Sequence, residues 1–256
     1  MHEPHTQRVA LVTGGGRRLG RAIALASAEA GYDVMVTYRT SAGGAREVAA
    51  LVAAMGRRCT AVRADMGDPG DISRLAGSLR DTYGRLDLLV NSAATFASAP
   101  LLDVDAEAWN AVMDVNVRGP HLLVRAVAPL LRDSVGSVVN LTDLSAFQPW
   151  TEYPHHAVSK AALAHLTRVQ ARALAPEIRV NAVAPGAVLP PPDYPRERIE
   201  ALRARTPLRR LGTPDDVVRA VLFLADAPFV TGQILVVDGG RSLGAAGPPG
   251  GAADGT

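Results

Sequence analysis

The chain has 256 residues, enough for one large α/β domain or two small ones. Hydrophobic residues make up 48% but aromatics only 4%, so the core is expected to be Ala, Val and Leu. The net charge of +2 is too small to make nucleic acid the main partner, and the single cysteine, Cys59, excludes an internal disulfide and reads as an inert thiol.

Strand-like and helical stretches alternate along the chain. The start, MHEPHTQRVALVT, lacks a secretory apolar region, and no apolar run is long enough to span a bilayer, so a cytoplasmic location is expected. Residues 1–7 read as a flexible end. Strands are predicted at 9–12, 34–37, 59–63, 86–90, 137–141, 179–183 and 234–237. Helices are predicted at 18–30, 45–55, 72–83, 106–115, 120–132 and 155–174, with a short one near 196–205 inside a proline-rich stretch. Gly31, Gly56 and Gly84 stop the first three helices. Regular alternation predicts a doubly wound, Rossmann-like parallel sheet with helices on both faces. No composition break divides residues 8–243, so one domain is expected. The Gly/Pro/Ala tail 244–256 cannot bury a core face and reads as disordered.

Two features of this pattern point to a dinucleotide. TGGGRRLG, Thr13 to Gly20, follows the first strand and opens a helix; glycines there let the backbone approach a phosphate, and the helix start supplies free N–H donors. The end of the second strand, VTYRTS, carries no carboxylate for a ribose 2′-hydroxyl. It offers Arg39, Thr40 and Ser41 instead, and Arg17 and Arg18 lie in the glycine turn. Guanidinium groups suit a 2′-phosphate, so NADP(H) is the expected cofactor.

With these residues in place, the chain resembles the short-chain dehydrogenase/reductase family over about residues 8–243. TGGGRRLG is similar to TGxxxGxG, with Arg18 where the second glycine is usual; that variant resembles the pteridine reductase branch. NSAA (91–94) resembles the NNAG motif. Asn116 in DVNVRG matches the family's active-site asparagine, and APG (184–186) the turn after the sixth strand. Asp65 looks like the aspartate whose following N–H, that of Met66, contacts adenine. The resemblance implies a cofactor site made of Thr13, Gly14, Arg17, Arg18, Leu19, Gly20, Arg39, Thr40, Ser41, Asp65, Met66, Asn91, Ala93, Lys160, Pro185 and Gly186. It also implies a homo-oligomer, most simply a tetramer, in which long helices pair.

The family signature YxxxK is altered. Lys160 is present, but His156 stands four residues earlier; Tyr153 is seven residues before the lysine. Asp143 lies thirteen positions before His156, at the family's spacing between its serine or aspartate and its tyrosine. Pteridine reductases are similar in carrying aspartate there, and Phe96 sits where that branch has an aromatic ring against the pterin. The expected catalytic set is Asn116, Asp143, His156 and Lys160, with Phe96 and Asp143 on the substrate and no metal ligands. Imidazole is a common general acid; Lys160 would oppose its protonated form and Asp143 would favour it. A reduced ketone leaves an alkoxide that needs a strong proton source, whereas an imine can be protonated before hydride arrives. Reduction of a C=N bond, in a dihydropterin or cyclic imine, is therefore the first expectation. A carbonyl reductase and a catalytically impaired NADP(H)-binding protein stay open beside it.

Overall fold

A computed structural model describes residues 7–190 and 194–244. The expectations for the N-terminal end and the tail therefore fall almost wholly outside the described residues. Seven parallel strands form one sheet: β1 (Val9–Val12), β2 (Asp33–Tyr38), β3 (Cys59–Arg63), β4 (Leu88–Asn91), β5 (Ser137–Leu141), β6 (Arg179–Pro185) and β7 (Ile234–Val237). Their order is β3-β2-β1-β4-β5-β6-β7, so the direction of winding reverses between β1 and β4. The helices are α1 (Arg18–Glu29), α2 (Ala42–Ala54), α3 (Pro69–Tyr83), α4 (Ala106–Met113), α5 (Gly119–Asp133), α6 (Pro154–Leu174), α7 (Arg196–Ala204) and α8 (Pro214–Asp226).

The aliphatic core follows from the period of two along each strand. In β1, Ala10 and Val12 pack with Ile23 and Ala24 of α1, Val48 of α2 and Val221 of α8. Val9 and Leu11 pack on the other face with Leu75 of α3 and Leu123 and Val127 of α5. Because both faces are covered, β1 and β4 are buried along their whole length. Cys59 lies in the β3 edge strand, and burial pushes its thiol up to about 11, so it is not ionised near neutrality.

Helix α8 is an element the sequence reading passes over. Thr213 caps it: its hydroxyl accepts from the Asp216 amide at 3.3 Å, while the Asp216 carboxylate accepts from the Thr213 amide at 2.8 Å. Pro214 occupies the first turn. Among the described residues no helix is long and apolar enough to cross a membrane.

Candidate active site

A cavity of about 840 Å³ runs across the carboxyl ends of the strands. It opens where the winding reverses, as expected for a doubly wound sheet. Its floor is the turn between β1 and α1. Gly14 has φ +66°, and a side chain there would press on Ala93 after β4. A Cβ on Gly20 would collide with the Gly14 carbonyl oxygen, so α1 starts directly against the turn. Arg17 is the N-cap of α1 and makes no side-chain cap, and the first turn holds no acidic residue. The first amides of α1 are thus left for an anion, and Arg17, Arg18 and Leu19 line the cavity. This cradle fits a dinucleotide pyrophosphate.

The other proposed cofactor residues divide into two groups. Arg39, Thr40, Ser41, Asp65, Met66, Ala93, Lys160, Pro185 and Gly186 line the cavity with Gly14 and Gly20. Arg39 stands 3.7 Å from Asp65 and is mostly exposed, so its guanidinium is weakly held and free to turn. Thr13 and Asn91 do not reach the cavity. The Thr13 hydroxyl accepts the amides of Ser92 and Ala93 at 3.0 Å each, tying the loop after β4 to the glycine turn. Asn91 donates to Asn140 at 2.8 Å, inside the sheet. Arg18 donates to the Leu189 carbonyl oxygen and so ties α1 to the loop after β6.

At the other end of the cavity Asp143, His156 and Lys160 converge. Asp143 follows β5, where it caps a one-turn helix, Leu144–Ala146, and accepts from the Ser145 amide at 2.8 Å. Its second oxygen lies 2.8 Å from His156 Nε2. His156 and Lys160, one turn apart on α6, share a face. Lys160 is buried and donates to the Leu141 carbonyl at 2.7 Å. Burial pushes its ammonium below the ordinary value, with the Asp143 charge opposing. Burial alone would raise the Asp143 carboxyl, but the hydrogen bond from His156 and the charge of Lys160 hold it below the usual carboxylate range.

His156 is only 2% exposed, and its two nitrogens both face acceptors. Nδ1 lies 3.2 Å from the Thr95 carbonyl oxygen, which can only accept, and Nε2 faces the ionised Asp143. Asn116 lies behind the wall rather than in it. It sits in a π-helical turn, Asp114–Arg118, between α4 and α5. Its side chain grips Thr95 from both sides, accepting the amide at 2.8 Å and donating to the carbonyl at 3.0 Å, and donates to Ser159 at 2.9 Å. Asn116 therefore places the carbonyl that holds His156. Ser159 completes the link by donating to the His156 carbonyl at 2.7 Å.

Aromatic rings close this end. Phe96 stacks on Tyr153 at 4.4 Å between centroids and meets His156 edge-on at 4.6 Å. Tyr153, set aside in the sequence for its spacing to Lys160, is the N-cap of α6 and lines the cavity, as do Trp150, Tyr194, Arg198 and Arg241, which the sequence reading did not single out.

A family model described as enoyl-(acyl carrier protein) reductase matches residues 15–242. The chain belongs to the short-chain dehydrogenase/reductase family. An uncharacterized oxidoreductase of Mycobacterium tuberculosis is 39% identical over 92% of each chain. The 3-oxoacyl-[acyl-carrier-protein] reductase of Synechocystis is 35% identical over 93% of this chain and 98% of the relative. Among solved structures, a blue fluorescent protein from a metagenomic library, in complex with NADPH, is 34% identical over 91% of this chain and 97% of its own, with a TM-score of 0.85. The protein is an NAD(P)-dependent oxidoreductase of this family.

Proposed function

We propose that the protein is an NADPH-dependent reductase of a C=N bond, in a dihydropterin-like or cyclic imine substrate, with Asp143 and His156 as its proton-holding pair. The observation that carries this reading is the ionised carboxylate at the reacting end of the cavity. A substrate nitrogen that becomes protonated gains a cation, which Asp143 stabilises. A ketone oxygen gains negative charge instead, which Asp143 would repel until a proton arrives. Bound NADPH supplies the hydride. The proton leaves the Asp143–His156 pair by way of Asp143, which lines the cavity, and the pair regains it from water afterwards. Lys160 is proposed to hold the nicotinamide ribose, and Phe96 to lie against a flat substrate ring. Asn116 acts as a positioning residue through Thr95.

Arg17, Arg39, Thr40 and Ser41 support NADPH over NADH, since all four line the cavity and residues 36–41 contain no carboxylate. A second reading, reduction of a ketone, is favoured by the 3-oxoacyl reductase relative, whose substrate is a carbonyl compound by name. Oxidation of NADPH and NADH is to be followed with dihydrobiopterin, a cyclic imine and an activated ketone. The first reading expects kcat/KM for the C=N substrates to exceed that for the ketone, and NADPH to bind at least about tenfold tighter than NADH. A ketone preference installs the second reading. NADPH binding without any turnover would leave a cofactor-binding protein.

A further inference from the structure

The cavity carries cationic side chains at both ends, and the cofactor accounts for only one of them. Arg39 follows β2, near one edge of the sheet; Arg241 follows β7, the opposite edge strand. Five strand steps separate β2 from β7, roughly 24 Å at ordinary strand spacing. The α1 start, after β1, is four steps from β7. Phosphates held at Arg39 and on α1 therefore leave Arg241 without an anion. Asp143, after β5, is only two steps away, so Arg241 belongs to the substrate end.

The surroundings of Arg241 are unusual for an arginine. It begins a one-turn helix, Arg241–Leu243, and is half-buried in the cavity wall. Asp238, the acidic group next to it in the chain, turns its two oxygens to the amides of Gly240 and Ser242, at 2.8 and 2.6 Å. Among the described residues the Arg241 side chain has no hydrogen-bond or ion-pair partner. Burial lowers its guanidinium below the ordinary value, and the like charge of Arg205 adds to that, with Asp238 opposing. Arg198 lines the same cavity from α7 and lies over the Tyr194 ring at 4.1 Å, a contact that holds a cation without neutralising it. A half-buried cation whose acidic neighbour is turned to backbone amides favours an anion in the cavity, and Arg198 in the same lining offers a second guanidinium.

We propose that Arg241 and Arg198 form an anion subsite in the substrate pocket, and that the substrate carries a carboxylate or phosphate group away from its reducible bond. The proposal rests on the reading of the Asp143–His156 end as the reacting end. Guanidinium groups take either anion as a fork, so the test has an arm for each.

Matched probes differ in charge and in ester methyls only: 5-oxohexanoate and its methyl ester, a carboxylated 3,4-dihydroisoquinoline and its methyl ester, and 4-oxopentyl phosphate and its dimethyl ester. Each is titrated calorimetrically into the NADPH-loaded protein, and turnover is scored separately. The expected result is that the anionic member of at least one pair binds about tenfold or more tighter than its neutral partner. Preference confined to the first two pairs assigns a carboxylate, and preference confined to the third a phosphate. Arg241→Gln should remove the preference by raising KM with little change in kcat, and Arg198→Gln should weaken it. Arg241→Lys, which keeps the charge, should retain part of it. Arg219→Gln, on the exposed side of α8, should change nothing. Equal binding within every pair, or an equal loss of both members in Arg241→Gln, would overturn the subsite. Should Arg241→Gln fail to fold, the wild-type preference and Arg198→Gln decide. Absence of turnover with every probe would sink the reductase reading instead, and the calorimetry would still decide the subsite.

Discussion

His156 sits between two acceptors, the Thr95 carbonyl at 3.2 Å and Asp143 at 2.8 Å, and this sets which proton it can give up. Nδ1 faces a fixed backbone oxygen; Nε2 faces a carboxylate that lines the cavity. His156→Ala should therefore lower the reductive rate by about 10²-fold or more, the usual size of a general-acid contribution, with NADPH binding intact in a fluorescence titration. Nearly full activity in that variant would remove histidine from the chemistry. His156→Tyr should shift preference from imines toward ketones. Stability should depend on pH through Asp143: its carboxyl is held below its unfolded value, so its contribution is present above that value and is lost as pH falls through the folded one. Asp143→Asn should flatten this acid limb in thermal unfolding, and an unchanged limb would reject the assignment. The spacings to Asp143 and Lys160 made this cluster legible in the sequence. The role of Asn116 was not, because what it grips is a peptide group of Thr95, and backbone partners leave no trace in residue identity. Arg198 and Arg241 were equally hidden, since only the fold brings α7 and the turn after β7 to one cavity.

Among the elements, α1 is the one whose placement the cofactor cradle depends on most. Its Gly20 is a poor helix former, and alanine there would favour the helix by about 1 kcal/mol in isolation. The added Cβ would meet the Gly14 carbonyl oxygen, which is backbone and cannot swing aside. Overpacking of this kind costs about 1–3 kcal/mol, so the clash outweighs the propensity gain. Gly20→Ala should be no more stable than the parent in thermal unfolding, and should bind NADPH at least about tenfold more weakly because α1 must back away from the turn. A variant that melts higher and binds NADPH normally would show that the close approach is not needed. The glycine signal made this element readable from sequence, as strict alternation did for the sheet. Helix α8 is marked in the sequence by its cap, Thr213, Pro214 and Asp216, rather than by a strand-like apolar run, and it lies between a proline-rich stretch and the last strand. Tyr153 stands off the Lys160 spacing because it is the N-cap of α6, and its side chain still lines the cavity.

For the molecule as a whole, two exposed apolar areas lie on different sides of the fold. On α6, Val158, Ala161, His165 and Val169 follow one another at spacings of three and four, all exposed, so they form one stripe. At the other end Phe223 of α8 is 58% exposed, and β7, the edge strand beside it, exposes Leu235 and Val236 on alternate faces. Areas of this kind are commonly covered by a partner. One self-complementary face makes a dimer, whereas two distinct ones make a closed tetramer with three two-fold axes. We propose that these two faces carry the tetramer expected from the family resemblance. Light scattering at micromolar protein should give about four times the chain mass of 26.8 kDa. Val169→Arg should open one face and Phe223→Arg the other, each leaving a dimer, and the double variant a monomer, since burying an unpaired guanidinium costs several kcal/mol at a contact it cannot avoid. Neither position lines the cavity, so NADPH binding by the dimers should persist. A parent mass equal to a single chain would reject both faces at once; a dimer disrupted by only one of the two substitutions would leave the other patch as surface with no partner copy.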